Sequence, residues 1–560
     1  MKLYINFLFL CVLLASKIAI AHDYSSIGYK ISPLQNAAVP VVRIDTEIKG
    51  AFDAGNLIID LPSHWAGANY SEQIKNIKVN SSDRGFSVIK KERNEDTEYG
   101  HELKIIIPQK TDNIKISYEI HQHPQNPSHV HKAMIRQDLI HSPGYGMFAV
   151  PSDLEDKEIK INIDWNVPDK WKIITSHGNS RSLNFSTTIS ELLHSIYGAG
   201  NLRIYQIADK NSPVFLSLYG SYDIKDRIMV SKLQEIIQTQ RTFFNDHDFP
   251  YYAISIIEGD DPNSMGGTRL HNSFTAYFPK DIGQKYWYIM FAHEHMHNWI
   301  GGKIGKDKTE ILNYWWTEGF TDYYSRVLAL RSGGISTDEF IDECNSFLKK
   351  YYLSPVLNAS NSRIKKDFWK DRHVEKLPYY RGFVFAIYLN ELIKYYDSNN
   401  SFDNVILDLF AATENQSFSV EIFKNIVQKY VPSGINIQIS EYIDQGKTID
   451  LKGLVAALPV KKTKIGEFSF GFDREAFLNE YVIKNIDIKS NAYQAGLRNG
   501  DKITGYCFPK WRDPDQIVKI KTENKNFQFR PEGSDKKDIY QFKANLSYKE
   551  KMKIRAFFGG

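Results

Sequence analysis

Phe291-Ala292-His293-Glu294-His295-Met296-His297-Asn298-Trp299 is the stretch on which the reading of this chain turns. It contains His-Glu-x-x-His, with the outer histidines four residues apart. On a helix that spacing places His293 and His297 on one face, a turn apart. Two neutral imidazoles so placed can share a zinc ion, and Glu294 between them can act as general base on a zinc-bound water. The flanks read as helical: Asp281 and Gln284 form a capping pair, Tyr286 to Ile300 is apolar and aromatic, and Gly301-Gly302 stops the element. His295 points to the opposite helix face.

A catalytic zinc takes three protein ligands and keeps one position open. The third is expected downstream, in Asn313-Tyr-Trp-Trp-Thr-Glu318-Gly-Phe-Thr-Asp-Tyr-Tyr324, which reads as one helix running to Gly333-Gly334. Trp315, Trp316 and Phe320 surround Glu318 with apolar side chains. A buried carboxylate needs a partner there, and a metal ion is one.

The phrase Trp316-Thr-Glu-Gly-Phe-Thr-Asp-Tyr-Tyr324, with Asn298-Trp299 directly after the second histidine, resembles the glycyl aminopeptidase family of gluzincin zinc metallopeptidases, in the clan of aminopeptidase N and thermolysin. The resemblance implies a multidomain α+β chain. It would comprise an N-terminal β-sandwich-like domain, a thermolysin-like catalytic domain with a helical subdomain, and a C-terminal PDZ domain.

The rest of the chain can be read against this. Its 560 residues are too many for one core. A content of 42% hydrophobic and 24% charged residues is that of an ordinary globular protein. A formal charge of +4 leaves no nucleic-acid footprint. Residues 1–21 read as a signal peptide: Lys2, the apolar run Phe7 to Ala15, and Ala19-Ile20-Ala21 before a mature start at His22. Cys11 leaves with it. No later run approaches a membrane helix in length, so the expected product is exported, periplasmic or secreted, and free of the membrane once cleaved. Cys344 and Cys507 lack zinc-thiolate spacing and are expected as buried free thiols.

Residues 22–205 read as β structure. Val39 to Ile48, Asn56 to Leu61, His101 to Ile107 and Ile159 to Trp165 alternate or run apolar between turn residues. Leu61-Pro62-Ser63-His64-Trp65-Ala66-Gly67 resembles a proline-tryptophan turn of the family's β domain. His121, His123, His129 and His131 fall around prolines and read as an exposed loop, without a second metal.

The catalytic domain is expected over 206–325 and its helical region over 326–455. Asp226 to Phe244 reads as an amphipathic helix and Tyr252 to Ile257 as a strand. Gly266-Gly267-Thr268-Arg269 then precedes another strand, where glycines let a backbone come close. In the resembling enzymes this strand pairs with substrate, and a glutamate at the Arg269 position binds its free amino group. A guanidinium would repel an ammonium. Three readings follow: Glu258, Asp260 or Asp261 takes over; Arg269 pairs with a substrate carboxylate; or it forms a structural ion pair.

Ser336-Thr-Asp-Glu339 is a capping-box start, with Phe340, Cys344, Phe347, Leu348 and Tyr351 following at helical spacing. A further helix is expected after Leu377-Pro-Tyr-Tyr-Arg-Gly-Phe383. That phrase resembles the clan's Pro-Tyr-x-Lys-Gly. The resemblance gives Tyr379 the oxyanion-stabilising role, with Arg381 in the lysine's place.

Residues 460–560 read as the PDZ domain. Ser469-Phe-Gly-Phe472 resembles the loop that takes a C-terminal carboxylate, Tyr481 to Ile486 is expected as a strand, and Asn491 to Ile503 resembles the family's Ala-Gly-Leu-x-x-Gly-Asp-x-Ile turn. A working groove for C-terminal peptides and a structural appendage are equally compatible with it.

The expectation is an exported zinc peptidase binding one zinc ion, aminopeptidase-like on short peptides or chain ends. His293, His297 and Glu318 are its ligands, Glu294 and Tyr379 its catalytic residues, and Gly266, Gly267 and Arg269 its substrate-binding residues. The alternatives are a catalytically degenerate peptide-binding protein acting through its PDZ domain and cleft, and an envelope protein that keeps zinc for stability.

Overall fold

A computed structural model describes residues 22–34, 39–62, 64–65, 68–80, 87–92, 101–122, 133–154, 157–207, 213–247, 251–259, 266–305, 310–414, 417–507, 514 and 516–559. Residues 1–21, read above as a signal peptide, and His123, His129, His131, Asp260 and Asp261 lie outside these. The chain falls into two compact units, residues 1–226 with 248–282, and residues 227–247 with 283–560. The segment 206–325 contributes to both.

The first unit begins with the expected sheet-rich region. Val41–Phe52 pairs antiparallel with Asp23–Pro33 and Thr111–His121 inside a six-stranded sheet. Alternation decides which face goes inward: Ile27, Ile31, Ile44, Ile48, Ile114 and Ile120 are all buried. Gly55–Asp60 and His101–Ile107 pair in a second sheet and send Leu57, Ile59, Leu103 and Ile105 into the same core. A five-stranded sheet completes the unit, in the order Arg203–Gln206, Val214–Tyr219, Tyr252–Glu258, Ser273–Phe278, Gly266–Leu270. Its three central strands are parallel and nearly continuous in apolar residues, the pattern of a strand covered on both faces.

The second unit is mostly helical. The His-Glu helix spans Gln284–Met296, with Gly283 as N-cap and no side-chain cap. The expected Asp281–Gln284 capping pair is therefore absent. The element also ends before Ile300, because His297 takes the C-cap and the backbone tightens into turns up to Gly301, at φ +83°. The next helix is divided into Glu310–Thr317 and Gly319–Ser332, with Glu318 at the junction. Backbone bonds still run through it, from Glu318 N to Tyr314 O (3.0 Å) and from Asp322 N to Glu318 O (2.9 Å). Gly333, at φ +80°, closes the element as expected.

Thr337–Tyr352 starts on the Ser336–Glu339 capping box and buries Phe340, Cys344, Phe347, Leu348 and Tyr351. The helix expected after Phe383 instead begins at Arg372 and runs to Tyr396, with Pro378 inside it. Asp371 caps it by accepting from His373 N (2.8 Å), and burial of Val374, Leu377 and Pro378 holds the early turns against the missing proline donor. This helix crosses Gly319–Ser332 at a pair of glycines, Gly382 facing Gly319 with no room for a Cβ on either. Cys344 is buried, but Cys507 is exposed, and both are free thiols.

The C-terminal region pairs Val460–Phe468 with Glu532–Phe542, beside a three-stranded sheet of Ile503–Cys507, Val518–Thr522 and Asn526–Phe529. The Asn491-to-Ile503 turn forms with Gly496 and Gly500 at positive φ. The strand expected at Tyr481 to Ile486 does not. Ser469–Phe472 leads into a helix, Arg474–Glu480, which Tyr481 ends in a left-handed conformation, leaving one bridge between Val482 and Lys502. The tail is strapped to the helices by Arg331 Nε donating to Phe558 O (2.7 Å) and Asn390 Nδ2 to Phe557 O (3.2 Å).

The glycine crossing gives a stability prediction. A Cβ on Gly382 would lie 1.7 Å from Trp315 O and 2.8 Å from Gly319 Cα. Gly382→Ala must therefore push the facing backbones away from each other, and is expected to cost about 1–3 kcal/mol or more. A denaturant midpoint equal to that of the parent chain would refute the close approach.

Candidate metal centre

The His-Glu helix and the Glu318 junction bring three ligand atoms together. His293 Nε2 and His297 Nε2 lie 3.1 Å apart. Glu318 Oε2 is 3.4 Å from the first and 3.5 Å from the second. A tetrahedral zinc site with bonds of 2.0–2.2 Å separates its ligand atoms by roughly 3.3–3.6 Å. Two edges of the triangle fall in that range, and the Nε2–Nε2 edge is about 0.2 Å shorter. Among the described residues it is the one such group of His, Cys, Asp and Glu.

The other ring nitrogens decide what this triangle needs. His293 Nδ1 donates to Asp322 Oδ1 and His297 Nδ1 donates to Ile300 O, both at 3.1 Å. Both partners can only accept, so both Nδ1 atoms carry protons. In the neutral tautomers two Nε2 lone pairs and a carboxylate then face one another, an arrangement that a cation holds together. Without a metal, a proton fills that place. Burial lowers the His293 pKa, but Asp322, Glu318 and Glu294 outweigh it and push it up to about 10. Burial likewise raises the Glu318 carboxyl, and the two imidazoles more than reverse this, holding it well below the usual range.

Asp322 is a site residue that the sequence motifs do not single out. It is 7% exposed and receives Arg326 Nη1 at 2.8 Å as well as His293. Arg326 Nε continues to Glu343 (3.1 Å), which Lys285 meets on its far side (3.1 Å). A signal was present: Glu318, Asp322 and Arg326 stand four apart, on one helical face.

Glu294 is also 7% exposed. Burial raises its pKa, against the pull of His293 and His297, the direction that suits a general base. His295 is fully buried on the other face, with Nδ1 against Gln240 Oε1 (2.7 Å), and burial keeps it neutral. Tyr379 is half-buried. Burial, then the Glu318 charge, raise its pKa well above the ordinary phenol value, so its hydroxyl remains a donor at neutral pH. Tyr380 packs edge-on against Phe347 instead. Arg381 is buried and donates to Leu357 O (2.9 Å) and Ala359 O (2.7 Å), which makes it a backbone clamp.

Gly266, Gly267 and Arg269 lie in the first unit, on the edge strand Gly266–Leu270. Arg269 has no ion pair among the described residues, and Glu258 accepts from Ser221 N (2.7 Å). His121 ends the strand Thr111–His121 and is not in the expected loop, and it pairs with Glu119 (3.0 Å).

Residues 287–397 match the model of the M61 glycyl aminopeptidase family, a span that includes His293, Glu294, His297, Glu318, Asp322 and Tyr379. No curated protein matches the chain. Among solved structures, an aminopeptidase N family protein from Idiomarina loihiensis is similar over 95% of this chain and 100% of its own, with 16% identity and a TM-score of 0.71. An M1 zinc metallopeptidase from Deinococcus radiodurans covers 77% of this chain and 96% of its own, at 10% identity and a TM-score of 0.47. At these identities the likeness is one of fold.

Metal loading should displace the proton that the carboxylates keep on His293, since a ligand imidazole must be neutral. Zinc titrated into the metal-free protein at pH 7 is expected to release about one proton per ion. Calorimetry in buffers of different ionisation enthalpy reads this directly, and heats independent of buffer would contradict it.

Proposed function

We propose that this chain, which carries an M61 glycyl aminopeptidase domain at residues 287–397, is an exported zinc metallopeptidase, aminopeptidase-like on short peptides or chain ends. The observation that carries the reading is the Nε2–Nε2–Oε2 triangle with both Nδ1 protons already committed. His293, His297 and Glu318 would hold one zinc ion, which supplies a Lewis acid that polarises a carbonyl and acidifies water. Asp322 fixes the tautomer and direction of His293, and the Ile300 carbonyl does so for His297. Glu294 takes the proton from the attacking water and passes it to the leaving amine. Its raised pKa favours holding that proton between the two transfers. Tyr379, kept protonated, donates to the oxygen on which negative charge develops. The export element of the proposal rests on residues 1–21. No helix among the described residues is long and apolar enough to cross a membrane.

Two substitutions separate these roles. Glu294→Gln should bind zinc as the parent does and lose about 10²–10⁴-fold in kcat, measured on peptides beginning with Gly or Ala with free and blocked N-termini. Full turnover by a zinc-loaded Glu294→Gln protein would end the general-base assignment. Tyr379→Phe should lower kcat by about 10²–10³-fold with little change in KM. A loss confined to KM would move Tyr379 from the oxyanion to ground-state binding.

A further inference from the structure

Arg269 is held in an unusual way. Its strand, Gly266–Leu270, lies at the edge of the five-stranded sheet, where Arg269 is opposite Phe274 of Ser273–Phe278. Among the described residues nothing pairs with the outer side of this strand. An open edge presents a row of backbone donors and acceptors, and an extended peptide can join a sheet there. Arg269 Nε is buried with no hydrogen-bond partner. Burial draws the guanidinium pKa down, and the neighbouring Tyr252 opposes this, yet a guanidinium stays charged in a protein. The residue as a whole keeps partial exposure, so its fork can meet an incoming group while its inner nitrogen stays unpaired, and a largely desolvated charge without a counter-charge is costly. Two other buried arginines show the usual remedy: Arg326 holds Asp322 and Glu343, and Arg381 holds backbone carbonyls. Arg269 has neither.

We infer that Arg269 anchors a carboxylate of a peptide laid along the Gly266–Leu270 edge. This rests on the peptidase reading and adds its substrate class: peptides with an acidic side chain, or a free C-terminus, at the position that meets Arg269. The guanidinium fork matches a carboxylate with two parallel bonds. Gly266 and Gly267 leave the strand without side chains where the peptide backbone would approach.

The test uses the zinc-loaded full chain with Arg269→Met and Arg269→Lys. Peptide pairs differ only in Glu versus Gln at one position, or in a free acid versus an amide at the C-terminus. Both kcat/KM and binding by fluorescence anisotropy are measured. The parent should prefer the carboxylate form about tenfold or more, the scale of one desolvated charge pair. That ratio should fall to near unity in Arg269→Met and recover partially in Arg269→Lys. A Glu preference identifies a side chain as the ligand, and an acid preference identifies a terminus. No preference in the parent, as expected if Asp260 or Asp261 neutralises Arg269 within the chain, overturns the inference. So does a preference that survives in Arg269→Met. If nothing is cleaved but the anisotropy preference holds and depends on Arg269, the peptidase reading fails and the carboxylate site stands.

Discussion

One unit of positive charge, wanted where His293, His297 and Glu318 meet, is the constraint on which the helical unit depends. The three groups are largely withdrawn from water, where repulsion between lone pairs and a carboxylate is weakly screened. Asp322 and the Ile300 carbonyl fix both imidazoles with Nε2 pointing inward. The site is thus preorganised for a cation before one arrives, and a proton serves as the stand-in.

The surrounding charges are arranged to make that demand stable. From His293 outward, Asp322, Arg326, Glu343 and Lys285 alternate in sign. Each buried group has an opposite neighbour, which is what allows four ionised side chains to sit close together at low exposure. The chain links the His-Glu helix, Gly319–Ser332 and Thr337–Tyr352, so the electrostatics of the site and the packing of its helices are coupled. The Gly319–Gly382 crossing adds the second constraint, a close approach between Gly319–Ser332 and the helix that carries Tyr379.

Much of this was legible in residue order. The four-residue spacing of His293 and His297, the capping box at Ser336 and the glycine stop at Gly333 are local signals, and local geometry obeyed them. Alternation in the N-terminal region likewise marked strands, and the structure forms them there. Other features were hidden. The helix expected after Phe383 takes in Pro378 instead, because Asp371 and buried neighbours sustain the turns before it. Tyr481 to Ile486 has strand composition but finds only one bridging partner, at Lys502. Asp322 had the right spacing from Glu318, but a spacing does not say what a carboxylate faces.

The sequence by itself determined the one-face spacing of His293 and His297, the helix that carries them and the alternating strands of the N-terminal region, because each follows from periodicity within a dozen residues. Only the tertiary structure decided that Asp322 orients His293, that Arg381 clamps backbone, and that Arg269 Nε is buried without a partner among the described residues. Those facts depend on which groups distant in the chain approach within about 3 Å, and no pattern within one segment encodes that approach.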